Sequence, residues 1–261
     1  MQCIQIPETQ EHPSFLVSLD KIGFEHDYDS ELERAAQEEE LQLPPYVRHS
    51  LQNTHTQLDS TPYIGSVTNK QAKYLNTFLG NFTLCVPYFK EFLLTLLQGI
   101  NEESVYDENG NKIENIERLQ ATYDEVTKQI HPKRAEFLDA TFQETDGRLH
   151  IVHNRFVDGQ LQQVTEPLED HLEEPKDTYF DRWLADSYFL PREGTEVEDS
   201  KLTRGMLHDQ SIKDNVFTWF PPLRGCNVAV FESTSYSNSL GCSNRDTHWD
   251  PSIGVRAAKI L

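Results

Sequence analysis

The chain is poor in basic residues, with 23 Lys and Arg against 43 Asp and Glu, so its formal net charge is −20. This charge would repel phosphates and anionic lipid headgroups, which argues against nucleic acid and against an anionic membrane as partners. The imbalance is uneven: residues 1–60 hold 12 acidic and 3 basic residues, whereas residues 202–261 hold 5 and 6. The near-neutral C-terminal part is therefore the part best suited to contact another macromolecule.

Long apolar runs and targeting segments are also lacking. The most apolar stretch, 82–97, is too short to span a bilayer and is interrupted by Pro87, Lys90 and Glu91. The first residues have neither the basic region nor the apolar region of a secretory signal. We therefore expect a soluble protein with no signal peptide and no membrane insertion, located in the cytoplasm or associated with a virion or cell surface.

Cysteine is scarce, and the four cysteines, Cys3, Cys85, Cys226 and Cys242, show no CxxC spacing. This argues against a zinc knuckle and against a redox dithiol. Cys226 and Cys242 could pair in an oxidising compartment. Two buried thiols in a reducing cytoplasm are the favoured interpretation.

Catalytic signatures are lacking as well: there is no G-x-S-x-G elbow, no G-x-G-x-x-G fingerprint and no phosphate-binding loop. On a strand, His248 and Asp250 would share a face and could supply two ligands of a metal triad, but no later His offers a third. His150 and His153 would point to opposite faces of a strand and could not bind one metal together. The sequence thus predicts no catalytic residue, no metal and no cofactor, with a metal-dependent enzyme using His248 and Asp250 as an alternative.

The chain divides by composition near residue 66. Residues 1–66 predict an irregular acidic N-terminal arm or subdomain, in which a helix-forming stretch over 31–43 ends at Pro44 and Pro45. Residues 67–261 predict a domain that begins with helices. Apolar periodicity indicates one helix with the stripe Tyr74, Leu75, Phe78, Leu79 and Phe82, one beginning near Pro87 and stopping at Gly99, and one over 113–126 after a polar turn at 107–112.

Further along, the apolar period falls to two, which is typical of strands. Asp158-Gly159 is a turn signal and predicts a β-hairpin over 148–164. A short helix is expected over 179–185, with strands over 217–220 and 227–231 and a last strand from Val255. Helices followed by short strands predict the α+β class.

The most unusual composition lies near the C-terminus. Of the 21 residues in 232–252, ten are Ser, Thr or Asn. This polar stretch is flanked by two apolar clusters, 228–231 and 253–255, and contains Leu240 in its middle. Apolar anchors hold a backbone while the polar side chains between them remain available, so the pattern favours a displayed binding surface over catalysis.

Four short motifs carry a resemblance to a known family: 216–222 (VFTWFPP), 228–231 (VAVF), 240–242 (LGC) and 252–258 (SIGVRAA). Together they resemble the C-terminal ends of variable proteins from diversity-generating retroelements of archaeal, viral and related microbial origin. Those proteins end in a G-V-R or G-F-R signature on a C-type lectin-like fold, which includes a formylglycine-generating-enzyme-like branch. The resemblance covers 216–261; a Gly-Gly-Ser-Trp-type stretch is absent, and Cys226 and Cys242 do not match the cysteine pair of enzymatic members.

The resemblance implies a C-type lectin-like domain, not an enzyme, with a variable-type surface over 225–258 that is diversified by mutagenesis of adenines. It implies a protein or glycan ligand on another cell or particle. The diversified, ligand-facing positions would be Glu232, Ser233, Ser235, Tyr236, Asn238, Gly241, Ser243, Asn244, Arg245, His248 and Trp249. The scaffold positions would be Val228, Val230, Phe231, Leu240, Gly254, Val255 and Arg256, with Arg256 satisfying carbonyls or a carboxylate in the core.

Two other interpretations of 232–252 stay open at this point. The stretch could be an ordinary Ser-rich pair of loops in a lectin-like or unrelated α+β domain. The chain could also be a structural component of a virion or envelope, with this terminal surface as an assembly contact.

Overall fold

A computed structural model of the chain describes residues 3–19, 55–58, 61–64, 73, 76–77, 80–101, 103–128, 135–169, 172, 175–192, 215–222, 228–233, 237–243 and 253–261. The helices in these ranges with defined bounds are α1 (Val86–Ile100), α2 (Ile116–Thr127) and α3 (Phe180–Ala185). The strands before α2 are β1 (Cys3–Ile6), β2 (Phe15–Ser18), β3 (His55–Leu58), β4 (Thr61–Ile64) and β5 (Phe82–Thr83). Those after it are β6 (Ala135–Thr145), β7 (Arg148–Val157), β8 (Gln160–Pro167), β9 (Lys176–Tyr179), β10 (Val216–Trp219), β11 (Val228–Ser233), β12 (Asn238–Ser243), β13 (Ile253–Gly254) and β14 (Ala257–Ile260).

Helices α1 and α2 follow from their sequence signals. Pro87 occupies the first turn of α1, where a missing N–H costs nothing, and the Asn115 side chain caps α2 by accepting from the N–H of Arg118. Gly99 was expected to end α1, but it lies inside the helix, which continues to Ile100. A Cβ there would lie 2.5 Å from Leu119 Cδ1, so the glycine allows α1 and α2 to approach closely.

A four-stranded sheet joins the two ends of the described chain, in the order β1-β2-β14-β5. Ala258 of β14 pairs with Val17 of β2, and Phe82 of β5 pairs with Ala258 on its other side. Ile4, Ile6 and Phe15 are fully buried in the main core. Residues 3–19 are therefore packed into the main core, whereas the sequence predicts an irregular arm or subdomain over 1–66. Phe82 is a strand residue rather than the end of a helical stripe.

An eight-stranded sheet forms most of the structure, in the order β8-β7-β6-β11-β12-β10-β9, with β13 also pairing with β6. The pairs β10–β12 and β13–β6 are parallel, and the others are antiparallel. The predicted hairpin is β7–β8, whose turn residues Asp158 and Gly159 both have positive φ, at 51° and 75°. Strand β6 was not predicted.

The core lies between the helices and one face of the large sheet. Trp183 of α3 stacks on Phe217 of β10 with 3.9 Å between ring centroids and 5° between planes. The ring centroid of Phe231 in β11 lies 5.0 Å from that of Phe89 in α1 and 6.0 Å from that of Trp183. These aromatic contacts bury large apolar areas and hold the C-terminal strands against the helices.

The described chain is thus a mixed α and β structure, mostly sheet with few helices, which confirms the coarse α+β class. The polar turn at 107–112 is present, with Asp107 Oδ1 accepting from the N–H groups of Asn109 and Asn111. The expected helix over 31–43 lies outside the described residues. In the part of the chain that is described, no helix is both long and apolar enough to cross a membrane.

Candidate binding surface

Strands β11 and β12 form the frame of the predicted surface. They pair along their whole length, from Val228 opposite Ser243 to Ser233 opposite Asn238. Strand β6 flanks β11, and β10 flanks β12. Backbone hydrogen bonds between four adjacent strands thus fix the two that carry the predicted surface, without help from its side chains.

The predicted scaffold positions of these strands are buried. Phe231 and Leu240 are opposite each other and belong to the main core, with exposures of 1% and 0%. Val228 and Val230 form a second cluster with Ala135 and Phe137 of β6. Because side chains alternate along a strand, this second cluster lies on the opposite face of the sheet, so β11 is buried on both faces.

The predicted ligand-facing residues on the same strands are not uniformly exposed. Glu232 and Gly241 are half-buried, whereas Ser233 and Asn238 are buried, with exposures of 5% and 2%. This differs from their expected display. Ser233 and Asn238 are opposite each other and two residues from Phe231 and Leu240, so strand alternation turns them toward the core.

The two buried polar side chains are not equally satisfied. Ser233 Oγ donates to the carbonyl of Thr127, the last residue of α2, at 3.0 Å. Asn238 Oδ1 accepts no hydrogen bond within the described part of the chain. Ser233 therefore has a packing role that a diversified position would not have.

The remaining predicted positions lie between the described strands. Ser235 and Tyr236 belong to the 234–236 connection between β11 and β12, and Asn244, Arg245, His248 and Trp249 belong to the 244–252 connection between β12 and β13. All six lie outside the described residues, as does Asp250 of the alternative metal pair. Ser243 is the last residue of β12, opposite Val228. Both connections thus begin and end in strands of the large sheet.

The G-V-R signature connects β13 to the small sheet. Gly254 pairs with Glu136, Val255 is buried, and Arg256 is fully buried. Arg256 Nη1 donates to the carbonyls of Ser18 at 3.2 Å and Leu19 at 2.6 Å. These bonds agree with the structural role expected for Arg256.

Two carboxylates and an aromatic ring complete the surroundings of the Arg256 guanidinium. Its Nε lies 3.2 Å from Glu136 Oε2, its Nη2 lies 3.5 Å from Glu125 Oε2, and its Cζ lies 5.0 Å from the centre of the Phe92 ring. Charged partners on β6 and α2 offset the cost of removing this cation from water.

Cys3 and Cys85 are not set up as nucleophiles. Burial, with the nearby Glu108, raises the pKa of the Cys3 thiol to about 12, and burial also raises the pKa of the Cys85 thiol. The thiolate is the reactive form, so neither is activated at neutral pH. Cys242 is present as a thiol whose Sγ lies 3.9 Å from the Phe220 carbonyl. Cys226 lies outside the described residues.

A charged cluster on β7 and β8 was not predicted. His153 Nε2 lies 2.8 Å from Glu166 Oε2, and Arg155 Nη1 lies 3.1 Å from Glu166 Oε1. The hydrogen bond from His153, with the charge of Arg155, holds the pKa of Glu166 below its ordinary value. Arg155 Nη2 also contacts Glu11, at 3.3 Å. In the described part of the chain, no group of three acidic, His or Cys side chains is placed to hold a metal.

In the sequence, Lys90 is a charge that interrupts an apolar run. Its ammonium donates to the carbonyls of Asp186, at 2.9 Å, and Tyr188, and it lies 5.0 Å from the centre of the Trp183 ring. Burial lowers the pKa of Lys90 to about 8. These contacts hold the loop that follows α3 against α1. The position of a lysine within the apolar face of a helix is the sequence feature that could have indicated them.

Comparisons of the chain with protein-family models, with curated proteins and with solved structures find no match.

Proposed function

We propose that the chain binds a macromolecular ligand through the surface formed by the 234–236 and 244–252 connections. One observation carries this proposal: both connections begin and end in strands of the large sheet, and those strands are fixed by backbone pairing and a buried core. Side chains in such connections can be replaced without removing the interactions that hold the frame.

The chemistry of the two connections supports binding. Tyrosine and tryptophan, here Tyr236 and Trp249, supply large, rigid contacts in antibody-like sites. Arginine, here Arg245, is often a main contributor to binding energy in protein interfaces. Ser235 and Asn244 are of the adaptable polar type. The C-terminal 60 residues carry six basic and five acidic residues, so a partner meets little long-range repulsion there.

We propose further that these positions are diversified, on a C-type lectin-like frame, as in the variable proteins that the C-terminal motifs resemble. Ser233 is assigned to the frame, because its hydroxyl holds the end of α2. Asn238 joins it because its side chain is buried. The ligand class is a protein or glycan on another cell or particle.

A substitution scan tests the frame and the surface together. One library randomises Ser235, Tyr236, Asn244, Arg245, His248 and Trp249; the matched library randomises Val228, Val230, Phe231, Leu240, Val255 and Arg256. Protease resistance on a display system reports folding. We expect most members of the first library to fold and few of the second. Equal losses in both libraries would contradict the proposal.

Binding itself is tested by selecting the first library on an immobilised purified protein. A control library randomises exposed positions away from this surface and away from β8, such as Gln98, Glu117 and Gln143. Enrichment of specific binders from the first library alone is the expected result.

Diversification is tested in the source genome, where we expect a neighbouring reverse transcriptase gene and an imperfect copy of the 225–258 coding segment that differs at adenines.

The enzyme alternative has its own measurement. Metal analysis of the purified chain and of His248→Ala would reveal stoichiometric iron or zinc that depends on His248. That result would replace the binding proposal with a metal-dependent activity.

A further inference from the structure

Strand β8 forms one edge of the large sheet. It pairs with β7 along its whole length, from Gln160 opposite Val157 to Pro167 opposite His150, and within the described residues no strand pairs with its other side. The exposed residues on it are Gln160, Gln162, Gln163, Thr165 and Pro167. Half of the backbone N–H and C=O groups of an edge strand point outward, ready to pair with another strand.

The edge carries no outward charge that would prevent such pairing. Strand β8 has no Lys or Arg, and its single charged residue is Glu166. The Glu166 carboxylate is already bound to His153 and Arg155 of β7, at 2.8 Å and 3.1 Å. Edge strands of monomeric proteins are usually guarded by charged side chains, short length or a covering segment. Strand β8 is eight residues long, its one charged side chain is bound by β7, and no strand in the described ranges pairs with its outer side.

Other edges of the two larger sheets are guarded. Strand β9, at the opposite end of the large sheet, is four residues long and carries Lys176 and Asp177. In the smaller sheet, β1 is covered because the N–H of Gln5 donates to the carbonyl of Tyr106 at 2.8 Å, and β5 is two residues long. The long open edge at β8 therefore differs from these other edges of the two larger sheets.

Electrostatics also singles out this hairpin as a contact between copies. The whole chain carries a net charge of −20, which opposes association. Residues 148–167 contain two basic residues, Arg148 and Arg155, and two acidic residues, Asp158 and Glu166, so their net charge is zero. Two copies that approach through this hairpin therefore meet less repulsion than the net charge of the whole chain would suggest.

We propose that β8 pairs antiparallel with β8 of a second copy of this chain, giving a twofold dimer in which the two large sheets become continuous. In the register centred on Gln163, Leu161 lies opposite Thr165 and Gln160 lies opposite Glu166. No like charges face each other, and Pro167, which has no N–H to donate, stays outside the paired residues. The interface is self-complementary, as a twofold axis requires.

The first test is the oligomeric state of the full chain by light scattering and sedimentation, from micromolar to submillimolar concentration. We expect a monomer–dimer equilibrium that Gln163→Lys weakens about tenfold or more, because the twofold axis places two lysines together. The matched control is Gln143→Lys, an exposed glutamine on the interior strand β6, which leaves dimerisation unchanged. A monomer throughout, or equal effects of the two variants, overturns the proposal.

A second test gives a gain of signal. Under mild oxidation, Gln163→Cys chains form a disulfide-linked dimer, whereas Gln143→Cys chains do not. Amide hydrogen exchange of the unmodified chain shows slower exchange in β8 as concentration rises. Protection of all β8 amides at the lowest concentration, where the chain is monomeric, means that a segment of the same chain covers the edge, and this also overturns the proposal.

Discussion

Arg256 Nε lies 3.2 Å from Glu136 Oε2, and both side chains are almost completely buried. The same guanidinium binds the carbonyls of Ser18 and Leu19, at 3.2 Å and 2.6 Å. One side chain of the G-V-R signature thus connects the end of the proposed binding frame to β6 and to the segment that ends β2. The stability of the surface and that of the whole fold are coupled through this contact.

Replacing Arg256 should be among the most destabilising single changes. Arg256→Met leaves Glu136, at 1% exposure, as a buried carboxylate that has lost the Arg256 cation. We expect a loss of about 3–5 kcal/mol in the free energy of unfolding, measured by urea denaturation. The double variant Arg256→Met, Glu136→Gln should recover part of this loss because it also removes the buried carboxylate charge that Arg256 neutralises. Losses that simply add in the double variant would show that the ion pair is not the cause.

Helix packing at Gly99 gives a second prediction. An added Cβ would lie 2.5 Å from Leu119 Cδ1 and 2.8 Å from Val105 Cγ2. Although alanine favours helix, we expect Gly99→Ala to lower the free energy of unfolding by about 1–3 kcal/mol through overpacking. The neighbouring exposed position is the control, since Gln98→Ala should be neutral or slightly stabilising. The double variant Gly99→Ala, Val105→Ala should lose less than the sum of its single variants.

Two local signals predicted local structure correctly. Asp158-Gly159 predicted the turn between β7 and β8, and the apolar period over 113–126 predicted α2. The missed strand β6 carries Glu136 and Asp139 among buried apolar residues, so neither strict alternation nor an apolar run marks it. Its charges are tolerated because Arg256 and Lys73 reach them, at 3.2 Å and 2.5 Å, from distant parts of the chain.

The candidate site could likewise be predicted only in part from the sequence. Composition separated apolar anchors from polar residues, but it could not show which polar residues lie inside strands. Ser233 and Asn238 differ from the expectation because strand β11 extends beyond its apolar run, to Ser233, and β12 begins at Asn238. Ser233 pairs with Asn238 of β12, and Asn238 also pairs with Phe217 of β10, so these strand ends depend on pairing that is not encoded locally.

The charged cluster on β7 and β8 predicts a stability change in acid. The pKa of Glu166 is lowered in the folded chain, so the unfolded chain takes up a proton first as pH falls below about 4.5. This contribution is fully present above that pH and is lost as pH falls through the folded pKa.

The Glu166→Gln variant measures the size of that contribution. We expect it to be about 1 kcal/mol less stable than the unmodified chain at neutral pH, a modest value because the carboxylate is partly exposed. The difference should vanish in acid. The control is Glu144→Gln, at an exposed position of β6. A deficit that stays constant down to low pH would contradict an electrostatic origin.

Lys90 predicts a stability change in the opposite pH range. The folded chain releases the Lys90 proton near pH 8, whereas the unfolded chain holds it to about 10.5. Between these values the unfolded state binds more protons, so this residue makes the fold more stable as pH rises, by up to about 3 kcal/mol. Cys3 and Tyr123, whose pKa values are raised to about 12, act in the opposite direction. The difference between the unmodified chain and Lys90→Met therefore isolates the lysine.

We expect the stability of the unmodified chain, relative to Lys90→Met, to rise between pH 8 and 10.5 and to be constant just below pH 8. Urea denaturation at a series of pH values measures it. The control is Lys128→Met, since that side chain is 61% exposed and its ammonium contacts the carboxylate of Asp124, one helical turn away. If the curves for the unmodified chain and Lys90→Met run parallel, the ammonium is not disfavoured by burial. The two carbonyls and the Trp183 ring then offset its loss of hydration fully.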